Sequence, residues 1–392
     1  MRGHDLLDKM ELADPAFVEA ADAQPPEKRR SWVRWGAVAA ALCLVAAGAF
    51  SLWRTGEQSV QTGLEPISIP DLPKGGMGFE GYLYYDASQI CTGNPWRADM
   101  ELDTLPVYRN KAYDASGAGV PRGLSPEEMQ ELLESAADAL GVEITSVETI
   151  TDPKDDVDPA VLELHGATDN GSIEIEADGH IIYNLPDKGV QLPDGYTLAD
   201  DATEEEAQAV LAYLADRYAA LIHMEAPVPV TWGAYNAYGD YGRKYGVYDG
   251  SGDDAADFLN HQFRRVSFVP NGDGELWFIR MQDWQLVAEK VGDYPIISPE
   301  EAEERLLTGY YQTSVPYAMP GKEYVAKVEL VYRTGRLEEM LIPYYRFYVL
   351  LPEEKTVGEG RDSRLQCYGA YYVPAIAAEY IADMPLYDGH FN

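Results

Sequence analysis

The sequence has few basic residues and few cysteines. It contains 30 lysine and arginine residues against 66 aspartate and glutamate residues, which gives the 392-residue chain a formal net charge of −36. A surface this acidic repels the phosphates of nucleic acids, so no nucleic-acid partner is expected. The three cysteines are too few for a disulfide-stapled scaffold or a four-cysteine zinc site. Cys91 and Cys367 are the one pair that a disulfide would join in an oxidising compartment.

The motifs of common catalytic and metal sites are also missing. None of the six histidines belongs to an H-E-x-x-H sequence, and neither G-x-S-x-G nor S-x-x-K occurs. We therefore predict no catalytic residue, no metal ligand and no cofactor. Catalytic carboxylate pairs stay open as an alternative, because the many acidic residues allow too many combinations to choose among.

The clearest feature that is present is an uncharged stretch of 19 residues from Trp35 to Trp53. A helix of this length spans about 28 Å, which matches the hydrocarbon core of a bilayer. Basic residues cluster just before it, between Lys28 and Arg34, and only Arg54 follows closely. The positive-inside rule then places the N-terminus in the cytoplasm and the large remainder outside. The sequence thus predicts a single-pass plasma-membrane protein with a signal-anchor; a signal peptide cleaved after Ala49 is the alternative.

Composition divides the chain further. Residues 54–78 contain three prolines and several Gly, Ser, Thr and Gln residues, which is typical of an extended tether. The predicted organisation is a cytoplasmic tail (1–34), a transmembrane helix (35–53), the tether (54–78) and two α+β subdomains (79–200 and 201–392). The tail has apolar residues at helical spacing from Leu6 to Phe17, so it is either a solvated leader or a docking helix for a cytoplasmic partner.

Three helix starts carry the S/T-x-x-E pattern of a capping box, at Ser125, Thr203 and Ser298. Strand-like segments follow each helix, and Asn271–Gly274 separates two of them with a strong hairpin signal. One amphipathic helix followed by antiparallel strands therefore recurs along the chain. The predicted fold class is α+β: one transmembrane helix followed by an extracellular domain of helices packed on antiparallel sheets.

Tyrosine is unusually frequent, with 28 residues. Aromatic residues alternate with glycines between Trp232 and Tyr248. The glycines indicate that this stretch is a loop. A Tyr/Gly loop gives a recognition surface rigid, amphipathic contact area. The alternative is an ordered loop whose rings cover a sheet. The predicted ligand-binding residues are Trp232, Tyr235, Tyr238, Tyr241, Tyr245 and Tyr248. A second aromatic cluster, Pro343–Val349, alternates like a strand and is assigned to core packing.

Several segments resemble known families. The sequences around Tyr294–Ala302, Val328–Arg333, Pro343–Tyr348 and Tyr368–Ala375 resemble uncharacterised, membrane-anchored proteins of Gram-positive bacteria. The helix-then-strands layout resembles the PepSY-like ectodomains of YycH/YycI-type regulators. The leader Glu11–Asp22, with the basic cluster and Ala-rich stretch behind it, resembles the start of anti-sigma-like membrane proteins, although it lacks their H-x-x-x-C-x-x-C zinc motif.

The resemblance to PepSY-like regulators implies a protein that holds or modulates signalling partners and is not an enzyme. The function expected from the sequence is that of a membrane-anchored extracellular sensor or binding protein, with regulation of a membrane signalling system as one role it would serve. Its expected partners are a protein or cell-envelope ligand on the outside and, if the N-terminal tail is a docking helix, a cytoplasmic partner at that tail. The alternatives are an extracellular cell-wall hydrolase and a structural or inhibitory surface module.

Overall fold

The computed structural model describes residues 63–69, 83–85, 90, 92–116, 120–152, 160–236, 239–352 and 365–387. These residues belong to one compact unit, Gly63–Asn392. The helices are α1 (Pro126–Leu140), α2 (Glu204–Arg217), α3 (Ala219–Ile222), α4 (Asp254–Phe263) and α5 (Pro299–Leu307). The strands are β1 (Ile67–Ser68), β2 (Leu83–Tyr85), β3 (Thr104–Asn110), β4 (Ile144–Thr151), β5 (Val161–Thr168), β6 (Gly171–Glu176), β7 (His180–Asn184), β8 (Pro227–Tyr235), β9 (Tyr241–Asp249), β10 (Arg264–Pro270), β11 (Leu276–Asp283), β12 (Ala288–Pro295), β13 (Gln312–Thr313), β14 (Val325–Tyr332), β15 (Met340–Leu341), β16 (Pro343–Leu350), β17 (Gln366–Pro374) and β18 (Ile381–Asp383).

The three predicted helix starts are confirmed. In α1 the Ser125 hydroxyl accepts the backbone N–H of Glu128, whose carboxylate accepts the N–H of Ser125, and Thr203 forms the same box in α2. At α5, Ser298 accepts the backbone N–H of Glu301. These bonds satisfy N–H groups that the first helical turn leaves without partners, which is why each helix begins at that residue. The predicted end of α1 at Gly141 is also confirmed, with φ of 68°.

One antiparallel sheet of 13 strands dominates the unit. Its order is β14-β16-β17-β2-β8-β9-β10-β11-β7-β6-β5-β4, with β13 paired to β17. Two meanders, β4 to β7 and β8 to β11, meet where β7 pairs with β11. Helix α1 packs on β5 and β6, and α2 packs on β8 and β9. Their apolar faces share one core, in which Leu133, Leu211 and Ile173 are fully buried.

The C-terminal third repeats the arrangement of a helix and antiparallel strands. Helix α5 packs on β17, and a second core forms around it with Leu306, Phe347 and Tyr371. The aromatic segment Pro343–Val349 lies in β16, where the predicted role in core packing is confirmed for Tyr345 and Phe347. A three-stranded sheet, β12-β3-β15, and a parallel pair, β1-β18, complete the unit.

The fold class predicted from the sequence needs correction. Strands account for 41% and helices for 22% of the described structure, so a large antiparallel sheet dominates and the helices are accessory. The capping signals are local and stand out in the sequence, whereas strands such as β2 and β17 are defined by partners far along the chain. Both predicted subdomains, 79–200 and 201–392, contribute strands to the same sheet, and their boundary stays a prediction.

The membrane assignments are corrected as well. The predicted transmembrane helix, residues 35–53, lies outside the described residues, as do the N-terminal tail and most of the tether. Among the described residues no helix is both long and apolar enough to cross a bilayer. The longest helix, α1, has 15 residues and carries four glutamates and one aspartate, so it is an amphipathic surface helix. The prediction of a signal-anchored, single-pass plasma-membrane protein is therefore not carried forward.

Candidate functional site: a basic–aromatic sheet face

The aromatic stretch predicted to be a loop forms a β-hairpin. Strands β8 and β9 pair over their whole length, with Trp232 opposite Lys244 and Tyr235 opposite Tyr241. Tyr238 lies outside the described residues. The hairpin belongs to the large sheet, because β8 pairs with β2 and β9 pairs with β10.

Glycines fit these strands because aromatic rings cover them. A Cβ atom on Gly246 would lie 2.9 Å from the Trp232 ring and 2.7 Å from the carbonyl oxygen of Val266. A Cβ atom on Gly233 would lie 2.5 Å from the hydroxyl of Tyr241. Glycine in a strand commonly marks such a close approach, and a ring on the neighbouring strand supplies the packing that glycine lacks.

Strand alternation separates the predicted site residues. Tyr245 points into the core under α2, where its hydroxyl donates to the carbonyl of Ala199 and burial raises its pKa to about 12. Tyr235 and Tyr241 share that side nearer the turn, with ring centroids 5.0 Å apart. Trp232 and Tyr248 lie on the opposite side of the hairpin.

The side of the sheet that carries Trp232 continues into other strands. Tyr248 pairs with Arg265 of β10, so these side chains are neighbours. The register through β17, β2 and β8 places Arg346 and Tyr348 of β16 on the same side. We call Trp232, Tyr248, Arg265, Arg346 and Tyr348 the basic–aromatic face.

The curl of the sheet brings the two arginines of this face together. β10 and β16 are five strand positions apart, which is about 24 Å in a flat sheet. Thr92 donates to Glu329, which pairs with Arg346, and a Cβ atom on the next residue, Gly93, would touch Val230 of β8, so this part of the chain joins the two regions of the sheet. Helix α4 bridges the gap, since Gln262 Oε1 accepts the backbone N–H of Tyr332 in β14 at 3.0 Å.

Each basic group stacks on an aromatic ring. Arg265 Cζ lies 5.2 Å from the centroid of Trp232, and Arg346 Cζ lies 4.8 Å from that of Tyr348. The His261 ring meets Tyr248 edge-on, with centroids 5.3 Å apart. A guanidinium on an aromatic face gains about 0.5–2 kcal/mol and keeps its in-plane N–H donors available.

Burial and mutual repulsion change the protonation of these groups. Burial, and then repulsion from Arg346, lowers the pKa of Arg265 to about 10. Burial, followed by repulsion from Arg265 and Arg346, lowers the pKa of His261 well below its usual value. At neutral pH the two arginines are therefore charged and the histidine is neutral.

Glu329 is a buried carboxylate of this region, and both of its oxygens have partners. It is 3% exposed, and its oxygens lie 2.8 Å from Arg346 and 2.7 Å from Lys327. Thr92 also donates to it. Burial raises the pKa of Glu329, but the charges of Arg346 and Lys327 and the hydrogen bonds outweigh burial and lower it. One carboxylate thus serves two cations.

Two groups of side chains have the spacing of metal ligands. In Glu163, His165 and Glu174, and separately in Glu176, Asp178 and His180, the candidate ligand atoms lie within 4.8 Å of one another. In the second group Arg336 already pairs with Asp178 at 2.6 Å and with Glu176, so a cation would have to displace it. The first group lies on β5 and β6 and could hold a divalent cation through carboxylate and imidazole ligands.

A surface cleft of about 620 Å³ lies apart from the basic–aromatic face. Its walls are residues 191–200 and the turn 270–275, and its charged residues are acidic: Asp194, Asp200, Asp273 and Glu275. None of the predicted ligand-binding residues lines it.

Sequence reasoning named Trp232 and Tyr248 but missed Arg265, Arg346 and His261. A signal was present, because Arg346 interrupts an otherwise aromatic and β-branched strand and a charge is costly there without a purpose. The proximity of Arg265 and Arg346 depends on the curl of the sheet, which the sequence does not encode locally. Comparison with models of known protein families and with curated proteins finds no match for this chain.

Proposed function

We propose that the protein is a binding or sensor protein whose recognition site is the basic–aromatic face. The observation that carries the proposal is the meeting of two stacked guanidiniums, Arg265 and Arg346, with Trp232 on one sheet face. Tryptophan, tyrosine and arginine dominate binding hot spots, because each combines large apolar area with polar groups. A site built on paired strands is also held rigidly, which reduces the entropy lost on binding.

The partner that fits the expectation from sequence is a protein or a cell-envelope ligand, and regulation of a signalling system would follow from its binding. The resemblance in layout to PepSY-like regulators supports a binding role. The recognition surface proposed here is smaller than the predicted aromatic stretch, since Tyr245 and Tyr248 are buried; within the basic–aromatic face Tyr348 is buried too, so Trp232 and the arginines are its more exposed members.

The test compares two tryptophan variants. The wild-type protein is immobilised and exposed to fractionated cell extract and to isolated cell-envelope material, and the retained components are identified. Trp232→Ala should weaken retention by about 30-fold or more, which corresponds to a hot spot of about 2 kcal/mol. Trp277→Ala is the matched control, because Trp277 is 43% exposed in β11 and lies outside the face. Equal retention by both variants would show that the face does not bind.

The alternative function, a cell-wall hydrolase, has one observation in its favour. Burial, and then repulsion from Glu174 and Glu176, raises the pKa of Glu163. The Glu163 and Glu174 oxygens lie within 4.8 Å of each other, near the roughly 5 Å separation of retaining glycoside hydrolases. Release of reducing ends from envelope polysaccharide by the wild type, and its loss in Glu163→Gln, would favour this function over binding.

A further inference from the structure

We propose that the group recognised by the basic–aromatic face is an oxyanion, a carboxylate or phosphate, held by Arg265 and the Nε2–H of His261. This inference rests on the proposed function, because it names the chemistry of the same site. Both side chains lie next to Tyr248, which pairs with Arg265 in the sheet and meets the His261 ring edge-on.

Arg265 is a half-buried cation. Among the described residues no carboxylate pairs with it, and its one specific contact is the face of Trp232. Stacking of this kind leaves the edge of the guanidinium, with its forked N–H donors, available to an acceptor. That fork matches the two oxygens of a carboxylate or phosphate. The chain has a net charge of −36, yet none of its described carboxylates lies next to Arg265.

His261 offers a second donor. Its side chain is 4% exposed, and its Nε2 has no hydrogen-bond partner among the described residues. Gln262 fixes the tautomer: its Oε1 accepts the backbone N–H of Tyr332, so its amide NH₂ faces His261 Nδ1 at 3.0 Å and donates to it. Nδ1 is then an acceptor, and the proton of the neutral ring is on Nε2. A buried N–H without an acceptor is costly, which indicates that a ligand supplies one.

Arg265 is half-buried, whereas His261 is 4% exposed. Because little of either side chain reaches solvent, the occupant that fits is a small anionic group, either on its own or at the end of a larger ligand.

The experiment is isothermal titration of the protein with inorganic phosphate and, separately, with acetate, at constant ionic strength. Binding of either probe to the wild type is expected, and comparison of the two tells phosphate from carboxylate. Arg265→Met should weaken the affinity about tenfold or more, as expected for the loss of a hydrogen bond to a charged group. Arg280→Gln is the control, because Arg280 is exposed on the neighbouring strand β11 and the substitution removes the same charge. The affinity of this variant for the probe should stay within about twofold of that of the wild type.

Melting temperature without ligand provides the second measurement. Because Arg265 is repelled by Arg346 and has no carboxylate partner, Arg265→Met should melt at the same temperature as the wild type or higher. No binding of either probe, equal weakening by Arg280→Gln, or a markedly lower melting temperature of unliganded Arg265→Met would overturn the oxyanion assignment. If Trp232-dependent retention persists in that case, the binding function stands and only the ligand class is wrong.

Discussion

At the scale of single residues, the buried charges fall into two kinds. Asp178 is 1% exposed and fully engaged: His180 Nδ1 lies 2.8 Å from one of its oxygens and Arg336 Nε lies 2.6 Å from the other. Arg265 is half-buried, and none of the carboxylates that the structure describes pairs with it. Removing one member of a buried ion pair destabilises the native structure, because the other charge is then buried without a partner. An unpaired one costs stability and is better explained by a ligand.

Asp178 should make the protein sensitive to acid. Burial raises the pKa of Asp178, but the hydrogen bonds and charges of His180 and Arg336 outweigh burial and lower it from 3.8 to about 2. A lowered folded-state pKa stabilises the native state above the unfolded value, and this contribution is lost as the pH falls from about 4 to about 2. The difference corresponds to about 2 kcal/mol.

Denaturant unfolding measured between pH 5 and pH 2 tests this. Asp178→Asn should flatten the fall in the free energy of unfolding over that range, whatever its effect at neutral pH. Asp273→Asn is the control, since Asp273 is exposed in the turn between β10 and β11, and its profile should follow the wild type. An unchanged slope in Asp178→Asn would show that the carboxylate does not titrate as described.

At the scale of elements, the stability of the β8–β9 hairpin depends on glycines that lie under aromatic rings of the paired strand. We expect Gly246→Ala to lower the free energy of unfolding by about 1–3 kcal/mol, because the added methyl overlaps the Trp232 ring and the Val266 carbonyl. Gly242→Ala is the matched control in the same strand, where a Cβ meets nothing within 4 Å, and it should be neutral or slightly stabilising. Urea unfolding of both variants decides; equal effects would contradict the packing described here.

The same hairpin shows what the sequence could predict. The capped starts of α1, α2 and α5 and the Asn271–Gly274 turn were predicted correctly, because their signals lie within a few residues. Gly233 and Gly246 were interpreted as loop residues, because the rings that cover them lie on the paired strand. The stretch predicted to be a recognition loop is a pair of strands, and the alternation of side chains along these strands places Tyr245 in the core.

At the scale of the whole molecule, the site exists only because the large sheet curls. Arg265 and Arg346 lie 81 positions apart in the sequence and five strands apart in the sheet, yet their charges interact. The sequence could name Trp232 and Tyr248 as candidates, but the convergence of the arginines with them requires the full strand order. The same curl places a locally positive face on a chain whose net charge is −36.

The most direct test of the central claim, that the basic–aromatic face binds ligand, is hydrogen–deuterium exchange of the full chain with and without phosphate or acetate. We predict slower exchange in β8, β9, β10 and β16 and in helix α4, with unchanged exchange in β4 to β6. Protection that maps instead to β4–β6 or to the cleft formed by residues 191–200 and 270–275, or no protection in β8–β10 and β16 with either probe, would contradict the account.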